Sequence, residues 1–397
     1  MNRLAIAACS VGTLFVVVSL TSQSGDLSPQ SQVNLAFALE PSYDEALRRL
    51  GHRWPPLYPS VLWVGARFGI PPEVTNLLLF LGTLAALLPA ARQLAPAVHP
   101  GFPVGLYALC AFNYWNLHQF VSEALLIPIA LGLLLLCERC RRGDASRQDL
   151  AALTTLAAVA CLTRYFAIFW LLPVAAWAGS GPPDRRRWLR AGTVLAIAAA
   201  PVGLWMAQAR RISGHLTGAD RFAPRMYESL TTFGANLELT ARTLALDWFG
   251  TRGPASHAAL RGPWEPSMLE ASLLGLAGAC IVGCSLAAFR SSRESSTSVP
   301  SQPTRGLLLG YFSLGFVVWI WLLWTLGNND PIYSRFLYPA YVFFLLAGFR
   351  IYSQVKLDRA SHPGGHWERA PFRALFGLVA AIQAQSSLGT LARLWSG

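Results

Sequence analysis

Long apolar runs divided by short polar connectors set the pattern of this chain. The runs lie near 72 to 90, 101 to 117, 121 to 137, 150 to 163, 166 to 179, 189 to 207, 269 to 289, 306 to 326, 336 to 349 and 372 to 391. An earlier run, "LAIAACSVGTLFVVVSL", occupies 4 to 20. A helix that crosses a bilayer needs roughly 20 predominantly apolar residues, tilt allowed. The pattern therefore predicts an all-α polytopic membrane protein with about eleven transmembrane helices, in a range of roughly nine to thirteen, in a single integral membrane domain over 1–397. The range exists because the runs at 150 to 163 and 166 to 179 are separated only by "TRY", where one long tilted helix is the alternative. Arg3 ahead of the first run also fits a cleaved signal peptide. The reading adopted is an uncleaved first helix, because the later topology closes with it in place. The stretch "PLYPSVLWVGARFGI" is too short to span and is broken by Pro59, so it reads as an interfacial or re-entrant helix.

Composition agrees with the pattern. With 53% hydrophobic and 13% charged residues, the chain has too little polar surface to cover a soluble protein of 397 residues. The net charge of +12 does not point to nucleic acid, because the arginines fall in short clusters between apolar runs, as in cytoplasmic loops. No nucleic-acid partner is expected. Six of the seven cysteines lie in or beside apolar segments, where Cys acts as a small hydrophobe, and Cys137-x-x-Cys140 has no second pair to complete a zinc site.

The arginine clusters also orient the chain. With a cytoplasmic N-terminus, "ERCRRGDASRQD", "GSGPPDRRRWLR", "RSSRESSTSVPSQPTR" and "RIYSQVKLDRASHPGGHWERAPFR" all fall inside. The Ser-rich piece 291–304 then reads as a flexible cytoplasmic loop. Outside are a first loop at 21–71, a long loop at 208–268 and the short "GNNDPIYSR". No internal repeat stands out, so an inverted-repeat transporter gains no support.

The first outer loop carries the adjacent carboxylates Asp44 and Glu45, followed by Arg53 and the rigid "WPPLYP". A carboxylate there sits where a general base could work, near a pocket roofed by loops to which Tyr43 and Tyr58 are candidate contributors. The same acids could instead belong to a solvated helix "DEALRRL", with Asp44 or Ser42 as its N-cap. Two more charges interrupt apolar runs: Arg164 in "CLTRYF" and Glu123 in "HQFVSEALL". Charge inside a membrane segment is expensive and marks a site by default. The alternatives are snorkelling of Arg164 to the outer interface, and a hydrogen bond from Glu123 to Ser122, His118 or a neighbouring helix. Asp330 either joins the pocket or starts the turn at Pro331. His52 and His118 are read as structural, and no metal is assigned.

Four stretches carry a resemblance: "SYDEALRRLGHRWPPLYPSVLWVGARFGIPPEVTNLLLFLGTLAALL", "NLHQFVSEALLIPIALGLLLL", "LTRYFAIFWLLPVAAWA" and "SRFLYPAYVFFLLAG". In order and spacing they resemble the GT-C superfamily of membrane glycosyltransferases, in the branch of the protein mannosyltransferases and aminoarabinose transferases. The resemblance implies transfer of a sugar from a polyprenyl-phosphate donor to a lipid, glycan or protein acceptor on the outer face of the membrane, with inversion. It implies that Asp44 is the catalytic acid of the first outer loop, that Arg335 is a basic residue near the last outer loop, and that Glu123 is a second acid. Such an acid orients the acceptor or, in some branches, helps to coordinate a divalent cation; the cation is a possible cofactor, none being certain. Arg335, Arg164 and Arg53 are the candidates for the donor's phosphate, since arginine's planar fork suits that anion. Aminoarabinose-transferase-like members often carry Lys directly before Pro-Pro-Leu, where this chain has Trp54, with Arg53 one position back. Tyr338 joins Tyr43, Tyr58 and Asp330 as a possible pocket residue. The implied location is a bacterial inner (plasma) membrane, with membrane lipids as partners. The rival classes are a lipid-linked glycan polymerase or ligase, a polytopic transporter, and a non-catalytic scaffold.

Overall fold

Prolines, glycines and short polar residues punctuate this chain, and the helix ends follow them. The computed structural model describes residues 29–50, 54–110, 113, 119–142, 145–179, 185–216, 311–318, 334–358 and 370–396. Three short helices come first: α1 (Pro29–Leu39), α2 (Tyr43–Leu50) and α3 (Leu57–Arg67). Asp44 and Glu45 lie in the first turn of α2, where the helix dipole favours negative charge. After α3 the amide of Gly69 bonds the Ala66 carbonyl at 3.1 Å and that of Ile70 bonds the Gly65 carbonyl at 2.9 Å. This is a Schellman cap, and Gly69 supplies the positive φ of 71° that it requires. Pro71 is the N-cap of the next helix, α4 (Pro72–Leu94), and Pro72 fills a first-turn position where a missing amide costs nothing.

The remaining elements are α5 (Gly101–Ala108), α6 (Glu123–Arg142), α7 (Arg147–Thr163), a 3-10 helix (Tyr165–Trp170), α8 (Leu171–Ala178), α9 (Arg185–Ser213), a π turn (Tyr311–Gly315), α10 (Ser334–Asp358) and α11 (Ala370–Ser396). Ser146 and Asp149 open α7 with a reciprocal capping box. Among the described residues every regular element is helical, which matches the all-α expectation. Among the described residues, two segments are long and apolar enough to cross a membrane: Pro72–Leu94, with mean hydropathy 1.9, and Trp188–Ser213, with mean hydropathy 1.5. The expected spans at 4 to 20 and 269 to 289 lie outside the described residues, as do the 291–304 loop and most of the 208–268 loop.

Helix α6 is the hub: α4, α7, α8 and α10 all pack on it. Its Leu126, Leu131, Leu133 and Leu134 are fully buried, as a helix surrounded by others requires. On the flank, α3 comes so close to α4 that a β-carbon on Gly65 would lie 2.8 Å from Thr75 Oγ1. At the other end of α4, Ser353 Oγ accepts the Ala97 amide at 3.0 Å and Lys356 Nζ donates to the Ala97 carbonyl at 2.7 Å, tying α10 to the α4–α5 turn.

The "TRY" junction resolves into two elements rather than one tilted helix. Arg164 is a single extended residue, with φ −150° and ψ 130°, between α7 and the 3-10 helix. That break releases its side chain from the helical register, and the consequence appears at the site below.

Candidate functional site

The geometry starts with two side chains of α1. Ser31 Oγ donates to Gln119 Oε1 at 2.7 Å, and Asn34 Nδ2 donates to the Phe120 carbonyl at 2.6 Å. These bonds hold the segment that leads into α6, and so they fix Glu123 at its first residue. Glu123 has no exposed surface, and Arg164 is 4% exposed. Arg164 Nη2 donates to Glu123 Oε1, joining positions 41 residues apart in the sequence. The guanidinium is flanked by the rings of Trp54, at 5.8 Å, and Phe166, at 5.5 Å, in cation–π range. Burying two charges is costly unless each is compensated, and here each compensates the other while the helix N-terminus adds to the stabilisation of the carboxylate. The second oxygen, Glu123 Oε2, and the neighbouring Ser122 Oγ are buried without a hydrogen-bond partner. They offer one acceptor and one hydroxyl to any polar group that enters.

Beside this pair runs a seam of buried amides and phenols. Tyr58, fully buried, donates to Asn76 Oδ1 at 2.7 Å. Burial pushes the Tyr58 phenol well above its ordinary value; the bond to Asn76 opposes that shift, and the nearby Glu123 charge adds to it. Asn76, Thr83, Tyr107 and Asn113 line a cavity of about 10 Å³, close to the volume that one ordered water needs. On its far side Asn113 Nδ2 donates to the Tyr107 carbonyl at 2.6 Å, and Tyr338 Oη donates to Asn113 Oδ1. The rings of Tyr107, Tyr338 and Tyr341 continue as a stack, with centroids 6.2 and 6.1 Å apart.

The structure thus brings Tyr58, Glu123 and Arg164 together under Trp54, and joins Tyr338 to the same polar interior. The alternative of a snorkelling Arg164 is corrected: the residue points inward because Glu123 offers a charge that the extended backbone at 164 lets it reach. Tyr43 serves packing instead of lining the cavity. Its hydroxyl meets Ser60 Oγ at 2.8 Å, and its ring abuts Phe37 and Trp63, which fastens α2 to its neighbours. Asp44 is exposed and makes no hydrogen bond or ion pair among the described residues, while Glu45 bridges Arg48 at 3.3 Å. Arg335 belongs to the first turn of α10, and its side chain lies outside the description; Arg53 and Asp330 lie outside the described residues altogether.

Sequence reasoning missed Asn76, Asn113 and Gln119. The signal was present, since an amide inside an apolar run must find a partner on another helix. A divalent cation would need more anionic ligands than Glu123 supplies, and the nearest charge to Glu123 is itself a cation. Among the described residues no three His, Cys, Asp or Glu side chains converge on one point. No protein-family model, no curated protein and no solved structure matches the chain.

Proposed function

We propose that this chain is an integral membrane glycosyltransferase of the GT-C kind, with about eleven transmembrane helices, that moves a sugar from a polyprenyl-phosphate donor to an acceptor on the outer face of a bacterial inner membrane. One observation carries the reading. The four stretches that resemble the family, far apart in sequence, supply Trp54 and Tyr58, Glu123, Arg164 and Tyr338 to a single polar interior. Hydropathy alone requires no such convergence.

In this reading the acceptor hydroxyl attacks the anomeric carbon, its proton passes to Asp44, and the bond to the lipid phosphate breaks with inversion. Asp44 is exposed at the head of α2, so an acceptor can reach it. The departing phosphate gains charge, and arginines answer that charge. Arg335, in the first turn of α10, is the residue proposed to meet it directly, whereas Arg164 beside Trp54 has its charge balanced by Glu123 and holds that carboxylate in place.

The test is lipid analysis of a strain that lacks the gene. Accumulated polyprenyl-phosphate sugar and a missing glycoconjugate are expected. Complementation should restore both, and Asp44→Asn should restore neither although the protein is present at normal level. An unchanged lipid profile in the deletion would overturn the proposal. A polytopic transporter is the second reading, favoured by the same buried Glu123–Arg164 pair; it predicts a transport defect in the deletion strain that Asp44→Asn complements as well as the wild type does.

A further inference from the structure

Helix α9 has two unlike faces. Val194, Ala198, Val202 and Ala209 are buried against the bundle, and the face that adjoins them is open. On that open face Arg186, Arg190, Ile197 and Leu204 fall within about 40° of one another around the helix axis, at 3.6 residues per turn. Both arginines are exposed, Ile197 is 57% exposed and Leu204 is 73% exposed. The line thus begins with two guanidiniums about one turn apart and continues as an apolar stripe for roughly 21 Å beyond Arg190.

The charge spacing fixes the depth of the stripe. No residue between Arg190 and Arg210 is charged, an interval that rises about 30 Å in an α-helix, which is the thickness of a bilayer's hydrocarbon core. Arg190 and Arg210 then sit at opposite headgroup planes. Trp188, 70% exposed and at the same level of the helix axis as the two arginines, has the amphipathic ring that settles at such a plane. The Arg186–Arg190 end is the cytoplasmic one in the topology above, away from Arg335 and the Glu123–Arg164 pair.

We propose that Arg186 and Arg190 bind the headgroup of an anionic phospholipid in the cytoplasmic leaflet, with an acyl chain lying along the Ile197–Leu204 stripe. The proposal rests on the membrane reading above but not on any enzymatic activity. Two exposed guanidiniums one turn apart prefer a headgroup with net negative charge over a zwitterionic one, and the stripe prefers a ligand that brings its own tail. A free phosphate satisfies the first requirement only.

The full chain is purified and reconstituted into vesicles of phosphatidylcholine with and without phosphatidylglycerol, and the lipid retained on it is counted by native mass spectrometry. Phosphatidylglycerol should be retained over phosphatidylcholine, and Arg186→Gln with Arg190→Gln should weaken that preference by about fivefold per charge removed. Arg186→Lys with Arg190→Lys should keep most of it. Leu204→Ser should weaken retention of the lipid while leaving any binding of inorganic phosphate unchanged. Three results would overturn the proposal: equal retention of the two lipids, unchanged retention in the double Gln variant, or complete displacement by inorganic phosphate. A chain that enters phosphatidylcholine vesicles without preferring phosphatidylglycerol loses the lipid site alone. One that never enters vesicles loses the membrane reading as well.

Discussion

Replacing Arg164 with Met should be among the most damaging single changes in the molecule. The substitution keeps a long apolar stem against Trp54 and Phe166 but strips Glu123, which has no exposed surface, of its counter-charge. One Glu123 oxygen already lacks a hydrogen-bond partner, so the variant leaves an uncompensated charge in a low-dielectric interior. Breaking a buried pair from one side costs about 3 to 5 kcal/mol, or roughly 150- to 5,000-fold in the folding equilibrium. Replacing both residues removes the burial cost together with the attraction and is close to neutral in comparable cases. Glu123→Leu combined with Arg164→Met should therefore recover at least half of what Arg164→Met loses. The assay is reversible unfolding of the purified protein in mixed micelles, followed by circular dichroism for the wild type, the two single variants and the double. A single-variant loss below about 1 kcal/mol, or two losses that simply add in the double, would refute the reasoning, because residues in direct ionic contact must couple.

Three further outcomes are expected. Gly65→Ala should destabilise by about 1 to 3 kcal/mol, because the new methyl meets Thr75 Oγ1 at 2.8 Å, and Thr75→Ala in the same chain should restore much of the loss in thermal unfolding. The Ser146 amide and hydroxyl, with Arg139 beside them, hold the Asp149 carboxyl below its ordinary 3.8. Its contribution is therefore present above that value and fades as pH falls through the lower folded-state value, so the drop in melting temperature from neutral to acid pH should be smaller in Asp149→Asn. In a background without native cysteines, Asp44→Cys should react with a membrane-impermeant maleimide on intact cells and Arg142→Cys only after permeabilisation; labelling of both from one side would undo the topology.

Much of the architecture was legible in the sequence because it is local. A helix forms from its own residues, so apolar runs, Pro71-Pro72, Gly69 and the Ser146–Asp149 box mark α3, α4 and α7 without reference to the rest of the chain. That Glu123 and Arg164 needed an explanation was equally legible, since each interrupts an apolar segment where a charge is costly. What the sequence left open was their partner. Arg164 had the outer interface and Glu123 had Ser122, His118 or a neighbouring helix as alternatives, and nothing within a few residues of either could decide. The choice fell to the packing of α7 on α6, with an extended residue at 164 that turns the guanidinium inward. The same holds for Tyr338 and Asn113, which are 225 positions apart, and for Tyr43, whose role follows from rings and a hydroxyl on other helices. Hydropathy and capping act over one or two turns, so one sequence suffices to read them. A buried polar group is satisfied by whichever helix the fold brings beside it, and that is decided only when the whole bundle closes.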